Sequence, residues 1–160
     1  MRIVVGIDPG VEGGVAVLSD LDILETATIP TMGEGKHRVI DCGQLARWIH
    51  ERDATEAMIE LAGAHADQGR ASIFRFGCAY GQLLGMLATM TLPYRIVSPL
   101  KWKRHYDLLN NRRTGRVVGK DDSRRKAIEL FPQHAAQFNL KKSIHCAEAA
   151  LLARYALRRG

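Results

Sequence analysis

Apolar and polar residues along the first thirty positions follow a pattern typical of short β-strands. An apolar run, Arg2–Asp8, ends in an acid and a Pro-Gly pair, and the segment Val15–Leu18 follows two glycines. A third apolar segment, Ile23–Ile29, stops at a proline. Breakers this closely spaced leave room only for tight reversals between the segments. The pattern predicts three consecutive antiparallel strands.

The rest of the chain predicts two further strands and four helices. Ala57–Leu61 and Tyr94–Val97 are short apolar runs typical of buried strands, and a helix before each favours parallel crossovers. Helical patterns cover residues 45–52, 71–90, 122–131 and about 143–159; Asp41 and Gln44 resemble a capping box before the first, and Ser143 is a candidate N-cap of the last. The order predicts an α/β fold in one domain, 1–160, with helices on both faces of a five-stranded mixed sheet.

Charge is distributed unevenly along the chain. Residues 1–94 contain 7 Lys and Arg against 12 Asp and Glu, a net −5, whereas residues 95–160 contain 16 against 5, a net +11. Glycines and arginines without periodicity predict a mobile basic loop from Asn110 to Lys120. A cationic region of this size attracts a polyanion such as nucleic acid, with simple solubility as the alternative.

Three carboxylates lie within otherwise apolar segments of the sequence. Asp8 and Glu60 lie near the ends of buried strands, and Glu148 lies in a helix of small apolar residues, three positions after His145. Burying a bare carboxylate is costly unless it is paired, protonated or bound to metal. Clustered carboxylates suit Mg²⁺, and two such ions roughly 3.5–4 Å apart can assist phosphodiester hydrolysis. For each acid alone, a salt bridge or a helix cap is the alternative.

Several motifs resemble the RuvC family of Holliday junction resolvases. Gly6–Gly10 (GIDPG) looks like the opening of that family, where a strand ends in the first catalytic aspartate, and Glu60 matches its second acid. His145–Leu151 is similar to the closing helix, where two acids three residues apart complete the metal site. Val97–Lys103 and Ser123–Pro132 are similar to a phage-type branch. The resemblance covers nearly the whole chain.

The resemblance implies a ribonuclease H-like fold, a homodimer and symmetric metal-dependent nicking of a four-way DNA junction. The implied catalytic and metal-binding residues are Asp8, Glu60, His145 and Glu148, with two Mg²⁺ ions that Mn²⁺ can replace. Lys120 is at the position of a family lysine that neutralises the scissile phosphate; an ordinary solvated lysine is the alternative. The chain departs from the commonest pattern at His145, which replaces an aspartate and has a helix N-terminal polar role as its alternative. It also lacks the family's junction-opening aromatic residue soon after Glu60.

Other basic and aromatic residues are candidates for DNA contact. Eight cations are expected to bind backbone phosphates, which gives affinity without sequence information: Lys101, Lys103, Arg104, Arg112, Arg113, Arg116, Arg124 and Arg125. Trp102 and Tyr106 can stack on bases, although packing at the edge of the core is favoured for Trp102.

Glycines recur every four residues at Gly77, Gly81 and Gly85 within one predicted helix. Each costs the helix up to about 1 kcal/mol relative to alanine, so a packing reason is expected. The face predicts close approach of another backbone, either within the chain or across a dimer.

Alternative functions are separated by the same residues. A sugar-kinase-like protein shares the early strands but needs two such domains, and a non-catalytic binder of branched DNA gains nothing from acids that repel phosphate. A nuclease for other branched DNA or for RNA–DNA hybrids fits equally well. No segment has the roughly 20 apolar residues that span a bilayer, and three scattered cysteines indicate a reducing compartment. We therefore expect a cytoplasmic protein of bacterial or phage origin without membrane contact.

Overall fold

The structure is a computed structural model that describes residues 1–20, 22, 24–63, 69–119 and 121–158. Its strands are β1 (Ile3–Asp8), β2 (Gly14–Ser19), β3 (Leu24–Thr28), β4 (Thr31–Met32), β5 (Val39–Ile40), β6 (Glu56–Glu60) and β7 (Tyr94–Val97). Its α-helices are α1 (Cys42–His50), α2 (Arg70–Thr89), α3 (Pro99–His105), α4 (Asp122–Leu130) and α5 (Ile144–Leu157). Short 3-10 helices cover Gly35–His37, Pro132–Phe138 and Lys141–Ser143.

Five strands form one mixed sheet in the order β3-β2-β1-β6-β7. β1, β2 and β3 pair antiparallel, whereas β6 and β7 continue the sheet parallel to β1. The predicted meander and the predicted parallel strands are therefore confirmed. Parallel pairing brings the carboxyl ends of β1, β6 and β7 to one edge of the sheet.

Helices cover both faces of this sheet, as predicted. All six residues of β1 and of β2 are buried, because their side chains alternate between two apolar cores. Val4 and Met58 face a core that includes α5 and part of α3 and α4. Val5 and Ile59 face a second core, formed with α1 and α2. A central sheet that is buried on both sides explains why these strands are continuously apolar.

Helix α5 lies directly on the sheet because two strand positions lack a side chain. A Cβ atom at Gly6 would collide with the backbone of Ala149, and one at Gly14 would collide with the carbonyl group of His145. Alanines fill most of the buried face of α5, so its backbone approaches the strands closely. Gly14 thus fixes the position of the first turn of α5.

The structure differs from the sequence prediction in three places. An unpredicted hairpin, β4–β5, follows β3 and pairs only two residues on each side. Pro99 begins the unpredicted helix α3, consistent with the preference of proline for the first helical turn. Ser143 precedes α5, but its side chain makes no capping hydrogen bond. By contrast, the Asp41 side chain accepts a hydrogen bond from the Gln44 N–H at 2.8 Å, so that cap is confirmed.

Candidate active site

The sheet register places Asp8 and Glu60 side by side. Ile7 of β1 is paired with Ile59 of β6, and the next residue of each strand is an acid. Both carboxylates therefore leave the same edge of the sheet on the face that packs against α5. Asp8 is only 6% exposed. Its position is dictated by strand pairing rather than by a flexible loop.

Helix α5 brings two further groups to Asp8. The Nδ1 atom of His145 lies 2.7 Å from Oδ2 of Asp8. Ligand atoms of Asp8, His145 and Glu148 all lie within 4.8 Å of one another. The spacing of three residues puts His145 and Glu148 on one side of the helix, and Gly14 allows that side to reach β1. The three side chains form a compact group of possible metal ligands. Together with the neighbouring Glu60 we call them the acid group.

Glu60 lies beside the three possible ligands but is not one of them. The indole Nε1–H of Trp102, in α3, donates a hydrogen bond to Oε2 of Glu60 at 2.6 Å. Burial raises the pKa of Glu60 to about 7, and the neighbouring charge of Asp8 adds to the increase. The hydrogen bond from Trp102 acts in the opposite direction because it stabilises the ionised carboxylate. Glu60 is thus held in a fixed orientation next to Asp8.

The electrostatics of the group favour a bound cation. Burial raises the pKa of Asp8, the hydrogen bond with His145 opposes this increase, and the charge of Glu148 adds to it. The hydrogen bond with Asp8 is also the main reason why the pKa of His145 is raised. Acidic groups crowded into a poorly solvated site repel one another, and a divalent cation relieves that repulsion. The two carboxylates suit a hard cation such as Mg²⁺ or Mn²⁺, whereas the imidazole is a ligand that softer divalent ions prefer.

Lys103 and Ser123 complete the surroundings of Glu148. The Nζ atom of Lys103 lies 3.2 Å from Oε1 of Glu148. The same oxygen accepts a hydrogen bond from the hydroxyl of Ser123 at 2.8 Å. Sequence reasoning assigned Lys103 to the outer DNA surface and did not select Ser123. The only sequence signal for Ser123 was its place in the Ser123–Pro132 motif; its distance of 25 positions from Glu148 hides the contact.

The other predicted DNA-binding cations differ in whether their side chains bind groups of this same chain. Arg124 donates hydrogen bonds to the carbonyls of Phe138 and Asn139 at 3.0 and 3.1 Å, so its guanidinium ties α4 to the segment before α5. Arg125 forms an ion pair with Asp122 at the surface. The remaining five predicted cations outside the acid group are exposed: Lys101, Arg104, Arg112, Arg113 and Arg116. Lys120 lies outside the described residues.

The basic segment after α3 is organised by its own hydrogen bonds. Asn111 and Arg116 form an antiparallel bridge, with backbone N–H to carbonyl distances of 2.9 and 3.1 Å. The side-chain oxygen of Asn110 accepts a hydrogen bond from the Val118 N–H at 2.7 Å. Four arginines, from Arg104 in α3 and from this segment, line a cavity of about 530 Å³. We call residues Asp107–Arg116 the arginine loop.

The structure tests the predictions made for two aromatic residues and for the glycines of α2. Trp102 is fully buried and Tyr106 is 7% exposed, so the base-stacking interpretation is wrong for both and core packing is correct for Trp102. Gly77, Gly81 and Gly85 are exposed, and a Cβ atom at any of them would meet no atom of the described residues within 4 Å. Packing among the described residues therefore does not explain this face.

Comparisons with known proteins give a likeness of fold. No protein-family model matches the sequence, and no curated protein matches it. The chain is similar to Thermus thermophilus RuvC solved in complex with a Holliday junction substrate, with a TM-score of 0.63 and 17% identity over 100% of this chain and 97% of that one. A second structure of Thermus thermophilus RuvC aligns with a TM-score of 0.53 and 16% identity, over 97% of each chain. The predicted fold class is confirmed: the chain has a RuvC-like, ribonuclease H-like α/β fold.

Proposed function

We propose that this chain is a magnesium-dependent endonuclease that cleaves four-way DNA junctions. The observation that carries the proposal is the group formed by Asp8, His145 and Glu148, whose ligand atoms lie within 4.8 Å of one another at one edge of the sheet. Lys103 contacts this group, and exposed cations continue along the chain from α3 into the arginine loop. An acidic metal site beside a cationic surface is what hydrolysis of a phosphodiester requires. The likeness of fold to a RuvC solved with a Holliday junction supports the choice of substrate.

Asp8, Glu148 and His145 would hold the metal, with Glu60 beside them. Bound there, Mg²⁺ would supply Lewis-acid activation of water and stabilise charge on the departing oxygen. His145 binds Asp8 through Nδ1, which leaves Nε2 as its free ring atom. That atom could either bind the metal or accept a proton from the attacking water, but not both. The His145 side chain is 44% exposed, so water can reach it.

Lys103 has a second role in this scheme. In the ion-free protein its ammonium pairs with Glu148, which a divalent cation would compete for. Once Glu148 turns to the metal, Lys103 becomes available to neutralise the scissile phosphate. The described residues thus support Lys103 as an active-site lysine. Lys120 lies outside them and stays a candidate for the same phosphate.

The proposal also includes a homodimer. A four-way junction has two symmetry-related cleavage points, and paired cuts require two sites related by a twofold axis. Helix α2 offers a contact surface, because its glycine face is open and Phe74 on the same helix is 73% exposed. Analytical ultracentrifugation of the wild type and of Gly81→Arg tests this. We expect a wild-type dimer and a monomeric variant; a wild-type monomer would contradict the dimer.

Cleavage of a substrate panel tests the proposed function. The panel comprises a four-way junction, a flap, a linear duplex and an RNA–DNA hybrid, each with Mg²⁺, with Mn²⁺ and with a chelator. We expect metal-dependent paired nicks in the junction alone. Preference for the hybrid or the flap would identify another nuclease, whereas binding of the junction without cleavage would identify a non-catalytic protein.

Asp8→Asn and Glu148→Gln test the site itself. Each substitution keeps the size of the side chain but removes a negative ligand, so cleavage should fall by about a thousandfold while junction binding persists. Arg47→Ala is the control, because this exposed cation is on α1, which packs on the opposite face of the sheet from α5; the variant should cleave normally. Wild-type rates in both acid variants would rule out the proposed site.

A further inference from the structure

A cavity of about 390 Å³ adjoins the acid group at its edge and contains no residue of α3 or of the arginine loop in its lining. The turn Pro9–Gly13, which directly follows Asp8, and His145 are both part of its lining. Helix α2 contributes one wall and the β4–β5 hairpin contributes the other. A ligand in this cavity would therefore touch the same histidine that binds Asp8.

The walls of the cavity are held in place by Arg38 of the hairpin. Its guanidinium donates to the Glu12 carboxylate at 2.6 Å and to the carbonyl of Val11 at 2.9 Å, both in the turn. Its Nε atom also donates to the hydroxyl of Thr31 at 3.2 Å, within the hairpin. These three bonds tie the hairpin to the turn after β1 and neutralise the acid on the cavity rim. The cavity is thus a built feature rather than a gap between loose segments.

Two unpaired cations and one aromatic ring line the space. Lys36 and Arg75 are exposed, and within the part of the chain that the structure describes neither makes a hydrogen bond or an ion pair. Phe76 presents its ring to Gly10, where a Cβ atom would lie 3.5 Å from the ring. Because Gly10 has φ +131°, a side chain there is disfavoured, and the space beside the ring stays open.

We propose that this cavity is a nucleotide subsite that binds the residue next to the scissile phosphate. The inference rests on the proposed function and extends it. The base lies against Phe76, and the adjoining phosphate lies between Lys36 and Arg75, since an aromatic face and free cations are the two features that bind a nucleic-acid strand. A pocket of this volume is within the range that takes small organic ligands.

The subsite gives the substrate strand a direction across the protein. In this proposal the strand passes Lys103 and His145 and enters the cavity. Lys36 and Arg75, in the otherwise acidic first half of the chain, then contact DNA as well. Stacking accepts every base, so Phe76 holds the base beside the cut and gives only a modest preference through stacking strength.

Photocrosslinking tests the subsite without cleavage. The protein carries Asp8→Asn, and the junction carries 5-iododeoxyuridine next to the scissile phosphate. We expect crosslinks in the α2 peptide that contains Phe76, and their loss in a Phe76→Leu version. Crosslinks confined to α3 or to the arginine loop would overturn the subsite.

Binding and cleavage provide the second arm of the test. In the Asp8→Asn protein, Lys36→Ala with Arg75→Ala should weaken junction binding about tenfold and reduce the salt dependence by about two units. Arg47→Ala with Lys142→Ala removes two unpaired cations that do not line the cavity and is the matched control. Equal losses in the two double variants would overturn the proposal.

Cleavage of a junction library randomised around the cut completes the design. Phe76→Leu in the otherwise native protein should reduce the modest base preference at the held position by about twofold, with an unchanged melting temperature. An unchanged preference would reject the stacking role of Phe76. A wild-type protein that neither binds nor cuts junctions would instead refute the proposed function, so the two failures are distinguishable.

Discussion

The acid group and the arginine loop present charge in opposite ways. Asp8, Glu60 and Glu148 are largely buried, and each is bonded to a side chain from another element. The arginines of the loop are exposed, and its hydrogen bonds organise the backbone rather than the guanidinium groups. In the proposed nuclease, packing would thus fix the groups that meet a reacting phosphate within fractions of an ångström, whereas the cations that bind a long polyanion would stay mobile.

Gly14→Ala should produce the largest effect, because it attacks the packing on which the acid group depends. The new methyl group collides with the carbonyl of His145, so the first turn of α5 must move away from β2. We expect a loss of about 3 kcal/mol in the free energy of unfolding and at least about a hundredfold slower cleavage. Chemical denaturation and single-turnover cleavage measure the two quantities.

Gly119→Ala is the matched control beside the arginine loop. A Cβ atom there would lie 3.8 Å from the nearest carboxylate oxygen of Asp122, which is ordinary contact. Stability and cleavage should stay near wild type. Similar losses in the two glycine variants would show that the packing contrast between the regions is wrong.

Trp102→Phe should have the next largest effect. It keeps an aromatic side chain in the core but removes the hydrogen bond that holds Glu60. Loss of such a supporting bond typically costs 10- to 100-fold in metal affinity or activity. Mg²⁺ titration of cleavage and calorimetric Mn²⁺ binding should both show weaker binding by about tenfold or more.

Tyr106→Phe is the control for that change. It removes the hydrogen bond from the Tyr106 hydroxyl to the carbonyl of Leu151, in the same core but away from the acids. It should lower stability with little change in metal affinity. If the two variants weaken metal binding equally, Trp102 has only a structural role.

Raising the pH should destabilise the metal-free protein. The pKa of Glu60 rises from an ordinary 4.5 to about 7 on folding, so between these values the folded protein binds more protons than the unfolded chain. Its contribution is fully present below about pH 4.5 and is lost as the pH rises through about 7. The raised pKa values of Asp8 and His145 act in the same direction.

Thermal unfolding in a chelator between about pH 5 and pH 8 measures this dependence. We expect the melting temperature to fall by several degrees with rising pH, and Glu60→Gln to remove much of the slope. Mg²⁺ should restore stability at the upper end of the range. A flat profile for the metal-free wild type would contradict the electrostatic description of the acid group.

Single substitutions in the arginine loop should have the smallest effects. Arg112→Ala, Arg113→Ala and Arg116→Ala should each weaken junction binding a few-fold and lower the salt dependence by about one unit, with an unchanged turnover of bound junction. Fluorescence anisotropy over a range of salt measures this. A large loss of turnover in any of them would place that arginine in the chemistry instead.

The sequence predicts well which strands and which helix carry the acids of the site, because these placements depend on local periodicity. Asp8 and Glu60 end parallel strands, and His145 and Glu148 are three residues apart on a helix; both relations follow from the backbone geometry alone. The fold class follows from the same patterns. These are short-range rules, and tertiary packing did not override them.

The contacts between distant elements could not be predicted in this way. Trp102 reaches Glu60 across 42 positions, and the orientation of α3 that allows this depends on the packing of the whole core. Gly14 resembles an ordinary turn glycine, whereas its main role is to let α5 approach. Two arginines also look alike in a sequence. Nothing there indicates that Arg124 binds a backbone carbonyl of the chain while the Arg113 side chain stays exposed.

The ion pair between Lys103 and Glu148 has a consequence for the order of assembly. The tethered ammonium supplies positive charge to the acid group. In the proposed nuclease, metal loading would then be an exchange of one cation for another rather than a late step of folding. Such a protein could be stored inactive and switched on by the local supply of a divalent ion.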